Sequence, residues 1–179
     1  MGHMKKTGWL IIISILFLAA CSRDAGFELI SAKADIVRDS RKTGTIVISN
    51  ESTETELIPT SLYYEFELKN KGKTILSSDK FQIRIEPSSE LNGEIHRIVG
   101  QNVISPNGLG GGWEIPSMPF KAKQNGTVNI FFHLGAYKDG SKIPTFPSDE
   151  QLIPIKEKAL KADLVLLVEN KEVARFDLK

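Results

Sequence analysis

The chain has 179 residues, 41% of them hydrophobic and 25% charged, which suits one domain of ordinary size. Lys and Arg number 23 against 22 Asp and Glu, and the resulting formal net charge of +1 argues against the strong basic field that nucleic-acid proteins rely on. A single Cys can supply neither an internal disulfide nor a Cys-based zinc cage.

In chain order, Lys5 and Lys6 come first, followed by an apolar run from Trp9 to Ala20 broken only by Ser14. A helix of that length rises about 18 Å, well short of the roughly 30 Å hydrocarbon core. Positive start, short apolar stretch and small residues at its end predict a secretory signal peptide over residues 1–20. Met1-Gly2-His3 reads as a cloning remnant ahead of a native start at Met4. Leu18-Ala19-Ala20-Cys21 resembles the lipobox of bacterial lipoproteins. The resemblance implies cleavage before Cys21, a diacylglyceryl group on its sulfur, and a stable anchor on the extracytoplasmic face of a cell membrane. Ser22 stands where an Asp would favour inner-membrane retention, so in a Gram-negative cell the resemblance permits the outer membrane. Without the first twenty residues, and so without Lys5 and Lys6, the formal charge of +1 becomes −1.

Residues 21–26 then read as a lipidated Cys and short polar tether. Residues 27–179 read as one domain in which the dominant period is two, the mark of strands. Expected strands are Phe27 to Val37, Gly44 to Ser49, Ser61 to Lys69 with Leu62, Tyr64, Phe66 and Leu68 on one face, Phe81 to Glu86, Gly126 to Leu134, Ala162 to Glu169, and Glu172 to Leu178. Asn70-Lys71-Gly72-Lys73 is turn chemistry, expected to join a hairpin, and Asn170-Lys171 is expected to turn the last one. Leu91, Ile95, Ile98 and Val99 fall at helical spacing between Ser88 or Ser89 as N-cap and Gly100 as stop. Ser148 with Gln151 forms a capping-box pattern, but Pro154 favours a short helix from about Pro154 to Leu160 with Pro in its first turn. Gln101 to Asn125 and Gly135 to Pro147 carry no clear period and are expected as loops. The fold class expected is mainly β: an antiparallel immunoglobulin-like sandwich of about seven strands with one or two short helices. The Ser61–Lys73 segment resembles hairpins of Ig-like modules in bacterial lipoproteins. The Cys…Trp…Cys signature of antibody domains is absent, so only the architecture is implied.

Chemistry is harder to place. No Gly-x-Ser-x-Gly elbow and no His-Glu-x-x-His pair occurs. His96 and His133 are isolated and read as surface residues, which gives no metal site. Gly108-Leu109-Gly110-Gly111-Gly112 lacks the preceding strand and following helix of a phosphate cradle. No catalytic residue, metal or cofactor is therefore expected. The long loops carry Trp113, Met118, Phe120, Tyr137 and Phe146, residue types that anchor partners, against the plainer reading that they cap the core. The leading expectation is a non-catalytic binding or structural module for an unknown protein or cell-envelope partner, with no nucleic acid. A protease inhibitor presenting Gly108–Pro119, or a secretion or assembly accessory, is the alternative. An envelope-polymer hydrolase using carboxylates among Glu86, Glu90, Glu94, Asp139 and Asp149 is a third reading.

Overall fold

Alternation along the chain becomes pleat, and pleat decides which side chains meet. The computed structural model describes residues 26–50, 53–77, 80–104, 111–115, 118–137 and 147–179. In order these form β1 (Phe27–Val37), α1 (Ser40–Thr43), β2 (Ile46–Asn50), β3 (Thr53–Asn70), β4 (Phe81–Pro87), α2 (Ser89–Val99), β5 (Gly111–Glu114), β6 (Asn125–Tyr137), α3 (Asp149–Lys158), β7 (Ala162–Val168) and β8 (Lys171–Asp177).

Two antiparallel sheets result. One runs β1-β3-β6-β5, with β2 added on β3; the other runs β4-β7-β8. A constant-type immunoglobulin domain splits strands A to G into ABED and CFG. Taking β1, β3, β4, β5, β6, β7 and β8 as A to G reproduces both sheets and both orders. The strand β2 is an addition. The helices α2 and α3 sit in the C–D and E–F connections. In place of the antibody disulfide and Trp, the core holds Tyr64, Phe66, Ile85 and Leu164, all fully buried.

The inner faces are the apolar ones read from the alternation. Leu62, Tyr64, Phe66 and Leu68 of β3 and Val128, Ile130 and Phe132 of β6 oppose Phe81, Ile83 and Ile85 of β4 and Leu164 and Leu166 of β7. Tyr64 donates its hydroxyl to the Ala159 carbonyl at 2.9 Å, tying the larger sheet to the end of α3. Phe27, Phe81 and Phe120 close one end of the sandwich, with ring centroids 5.4 to 6.2 Å apart. Each such pair adds about 1 kcal/mol beyond its buried area. On the outer face of the smaller sheet, Val165 is fully buried between its register partners Arg84 and Arg175. The aliphatic stems of the two arginines are suited to cover it.

Pro59 lies inside β3, where a strand proline needs a reason. The register supplies one. β2 pairs with residues 53–57 and β1 with residues 61–70, so Pro59 falls in the gap between them. A register shift at Thr60/Ser61 in the pairing with β6 sits beside it.

Helix α2 follows its caps. Ser88 accepts from the Leu91 N–H, and Gly100 takes the left-handed conformation at φ 79°. α3 corrects the shorter helix expected from Pro154. It starts at Asp149 with both halves of the Ser148–Gln151 capping box formed, and Pro154 lies inside it. Two reciprocal bonds at the cap and burial of Leu152 and Ile155 outweigh the missing N–H. The expected hairpin after Asn70 is also corrected. β3 and β4 belong to different sheets, because the turn carries the chain across the sandwich. The final hairpin turns at Glu169 and Asn170, both at positive φ, one residue earlier than expected.

Candidate binding cleft

The strand order leaves a seam along one side of the sandwich. β1 and β8 approach each other at one edge. At the other edge stand β5, last in the larger sheet, and β4, last in the smaller. Among the described residues β4 pairs only with β7, so its outer row of backbone groups faces the seam.

A cleft of about 310 Å³ opens there. Its lining includes Ile83 and Ile85 of β4, Val103 and Ile104, Ile130 and Phe132 of β6, and Trp113 of β5. That volume is at the small end of ligand sites, and the apolar side chains share the lining with Gln82 and Arg84. Trp113 is 41% exposed, an uncommon degree for the only Trp in the domain.

β5 holds Trp113 in place through two glycines. A Cβ on Gly111 would lie 2.7 Å from the Phe131 carbonyl oxygen, and one on Gly112 would lie 2.7 Å from the Phe131 ring. At Gly111 the obstacle is backbone, so only glycine lets β5 lie this close to β6, whereas at Gly112 the tip of the Phe131 ring would have to move. Gly111 pairs with Phe132 and Trp113 with Ile130, which puts the bare Gly111 position and the indole on the face turned to the core. Gln101 to Asn125 is therefore not wholly loop, as expected; it contributes this short strand and an isolated bridge from Phe120 to Ile75.

No family model, curated protein or solved structure matches this chain.

The five partner-anchoring candidates separate. Trp113 lines the cleft. Met118 is partly buried and packs on the core. Phe120 is 1% exposed within the aromatic cluster, so it follows the plainer reading of a core cap and is corrected as a surface anchor. Tyr137 ends β6 opposite Ile58, at the far end of the strand from Asn125. Phe146 and Cys21 lie outside the described residues.

Sequence reasoning missed the β4 side of the cleft, and it also missed a pair across β3 and β6. Ser61 Oγ and His133 Nδ1 share a hydrogen bond of 2.8 Å as direct register partners. Phe131 leans on the His133 ring at 5.4 Å between centroids. Burial pushes the His133 pKa down. Ser61 is fully buried, so no substrate can approach its hydroxyl in this conformation. His133 was expected on the surface; it is half-buried and bonded, while His96 is exposed as expected.

The carboxylates raised for hydrolysis are engaged elsewhere. The Arg175 guanidinium holds Glu86 below its usual range, Lys161 does so for Glu90, and Lys158 and Arg97 do so for Glu94. Asp149 pairs with Arg38 at 2.5 Å, and Asp139 lies outside the described residues. Among the described residues no three His, Cys, Asp or Glu side chains gather as metal ligands, and no helix is long and apolar enough to cross a membrane.

Proposed function

We propose that this chain is a lipid-anchored protein of the bacterial envelope. Its Ig-like domain acts as a non-catalytic binding module that takes an extended polypeptide segment along β4, in the cleft beside Trp113. The anchor rests on the sequence before and at Cys21, which also sets the location on the extracytoplasmic face of a membrane. The observation that supports the binding role is a strand edge, unpaired among the described residues, beside a cleft that mixes apolar and polar side chains and displays an exposed indole. An extended peptide adding to an edge gains main-chain hydrogen bonds, while pockets beneath it read alternate side chains. Trp is the residue type most enriched at binding hot spots.

The inhibitor reading places Gly108–Pro119 as a presented loop. Residues 111–114 instead pair with β6, which favours the cleft as the working surface.

The test is a screen of extended peptides against the mature protein, followed by Trp113→Ala and by backbone N-methylation of the peptides that bind. Loss of a hot-spot Trp is expected to weaken binding about 30-fold, the equivalent of 2 kcal/mol. Amide exchange at Ile83 to Ile85 should slow on binding. Binding that ignores both the Trp113 substitution and peptide methylation would remove the cleft as the site.

A further inference from the structure

The end of the domain nearest the anchor has a composition of its own. Gly26, where the described chain begins, accepts backbone hydrogen bonds from Lys71 at 2.7 Å and Gly72 at 3.1 Å. The turn after β3 is therefore fastened to the point where the tether arrives. Asn70 ties the rest together. Its amide donates to the carbonyls of Lys73 and Phe120, both at 2.9 Å, and its oxygen accepts from Gly72 at 2.9 Å. Lys123 donates its N–H to the Asn70 carbonyl. In the smaller sheet, Glu169 donates its N–H to the Lys80 carbonyl, bringing the start of β4 and the last hairpin to the same end.

These turns carry Lys71, Lys73, Lys80, Lys121, Lys123 and Lys171. Against them stand Glu28 and Glu169, paired with Lys71 and Lys80, Glu172 next to Lys171 and paired with Arg175, and, in the sequence, Asp79. Six lysines against four carboxylates leave a surplus of two positive charges. The chain from Cys21 onward has a formal net charge of −1, so the remainder carries the opposite sign. Charge is segregated toward the tether. Leu76, in the same turn, is 80% exposed, and beside it opens a cavity of about 570 Å³ lined by Phe27, Ile75, Val168 and Val173.

From this we infer that the domain sits end-on against an anionic bilayer, with Lys71, Lys73, Lys80, Lys121, Lys123 and Lys171 facing the lipid headgroups. The inference rests on the anchored reading of Cys21. Five residue steps from Cys21 to Gly26 reach about 17 Å at full extension, so the lysine end cannot leave the neighbourhood of the membrane. Surface potential decays over about 8 Å at physiological salt, which makes proximity decisive. Lysines beside an exposed aliphatic side chain match an interface of anionic headgroups over acyl chains. The opposite end, with Arg38, Asp39, Arg41 and Asp149 paired among themselves, is then turned outward.

The test uses the mature lipidated protein in vesicles, either phosphatidylcholine alone or with about a third phosphatidylglycerol to supply the anionic surface. Lysines are acetylated with a water-soluble amine reagent and read residue by residue by mass spectrometry. Lys73, Lys121, Lys123 and Lys171 are expected to react about five-fold more slowly on the anionic vesicles, the factor that one lysine's attraction to such a surface represents. Lys42 and Lys156, at the other end, should react equally on both. Raising salt to about 1 M, where screening contracts to about 3 Å, should abolish the difference. So should the variant Lys73→Gln/Lys121→Gln/Lys123→Gln, read at Lys171. Equal reactivity at both ends, in protein that floats with the vesicles, would overturn end-on docking alone. Failure to float would overturn the anchor, and this inference with it.

Discussion

His133 shows how one side chain's surroundings set a property of the whole fold. It is half-buried beside Phe131 and bonded to buried Ser61, and that burial lowers its pKa. The unfolded chain, with an ordinary histidine near 6.5, takes up a proton before the folded one does. The unfolded state then binds more protons, so stability falls as pH drops below about 6.5 and is full above it. Carboxylates held down by cations, such as Glu86 and Glu94, withdraw their own contribution only as pH falls through the usual carboxylate range near 4.3 and below. Denaturant midpoints measured between about pH 7 and pH 5 therefore isolate the histidine. The slope expected for the wild-type chain should flatten in His133→Gln, and equal slopes would mean that the imidazole does not carry it. From the sequence, His133 stands on the polar side of an alternating strand and reads as solvated. Its true setting depends on the register that brings Ser61 opposite it, and alternation within one strand does not reveal a cross-strand partner.

At the scale of elements, β5 is the one that the proposed binding role needs most, and its side chains advertise it least. Gly-Gly-Trp-Glu has little strand propensity, because glycine costs backbone entropy and packs nothing. It forms because Gly111 permits an approach to the Phe131 carbonyl that a residue with a Cβ could not make. Gly111→Ala puts a methyl into a carbonyl oxygen, which cannot swing aside as a side-chain tip can. The substitution is expected to detach β5 from β6 and raise exchange of its amides to that of an exposed turn, with a stability loss of about 1 to 3 kcal/mol. Unchanged protection of Gly112 and Trp113 would show that the strand tolerates the methyl. The elements that were legible are those whose side chains decide their own fate. β4 and the Leu62–Leu68 stretch of β3 alternate cleanly, and α2 has apolar spacing between a Ser cap and a Gly stop. Long-range pairing was less legible. The turn at Asn70 looks like a hairpin, yet its amide bonds to Phe120 and the chain passes to the other sheet. Trp113 could be singled out by type. Its cleft partners Ile83 and Ile85 could not, because only the strand order makes β4 an edge.

For the whole molecule, the two sheets reproduce the immunoglobulin division of strands without its disulfide or its core Trp. An Ig-like sandwich is compatible with many functions, so the activity is argued from sites and not from the fold. Three features set an orientation. Gly26 and the lysine turns mark one end, the Arg38–Asp149 pair lies toward the other, and the β4–β5 seam runs along the side between them. On the proposed anchored reading, a side-facing cleft stays open to a partner moving along or across the envelope. The orientation depends on Cys21. The most direct measurement is the intact mass and N-terminal peptide of the protein extracted from membranes of cells that express it from its own signal sequence. The expected result is a chain beginning at Cys21, lacking residues 1–20, with a diacylglyceryl group on the sulfur. A chain that retains residues 4–20, or one with a free Cys21 thiol, would contradict the anchored reading.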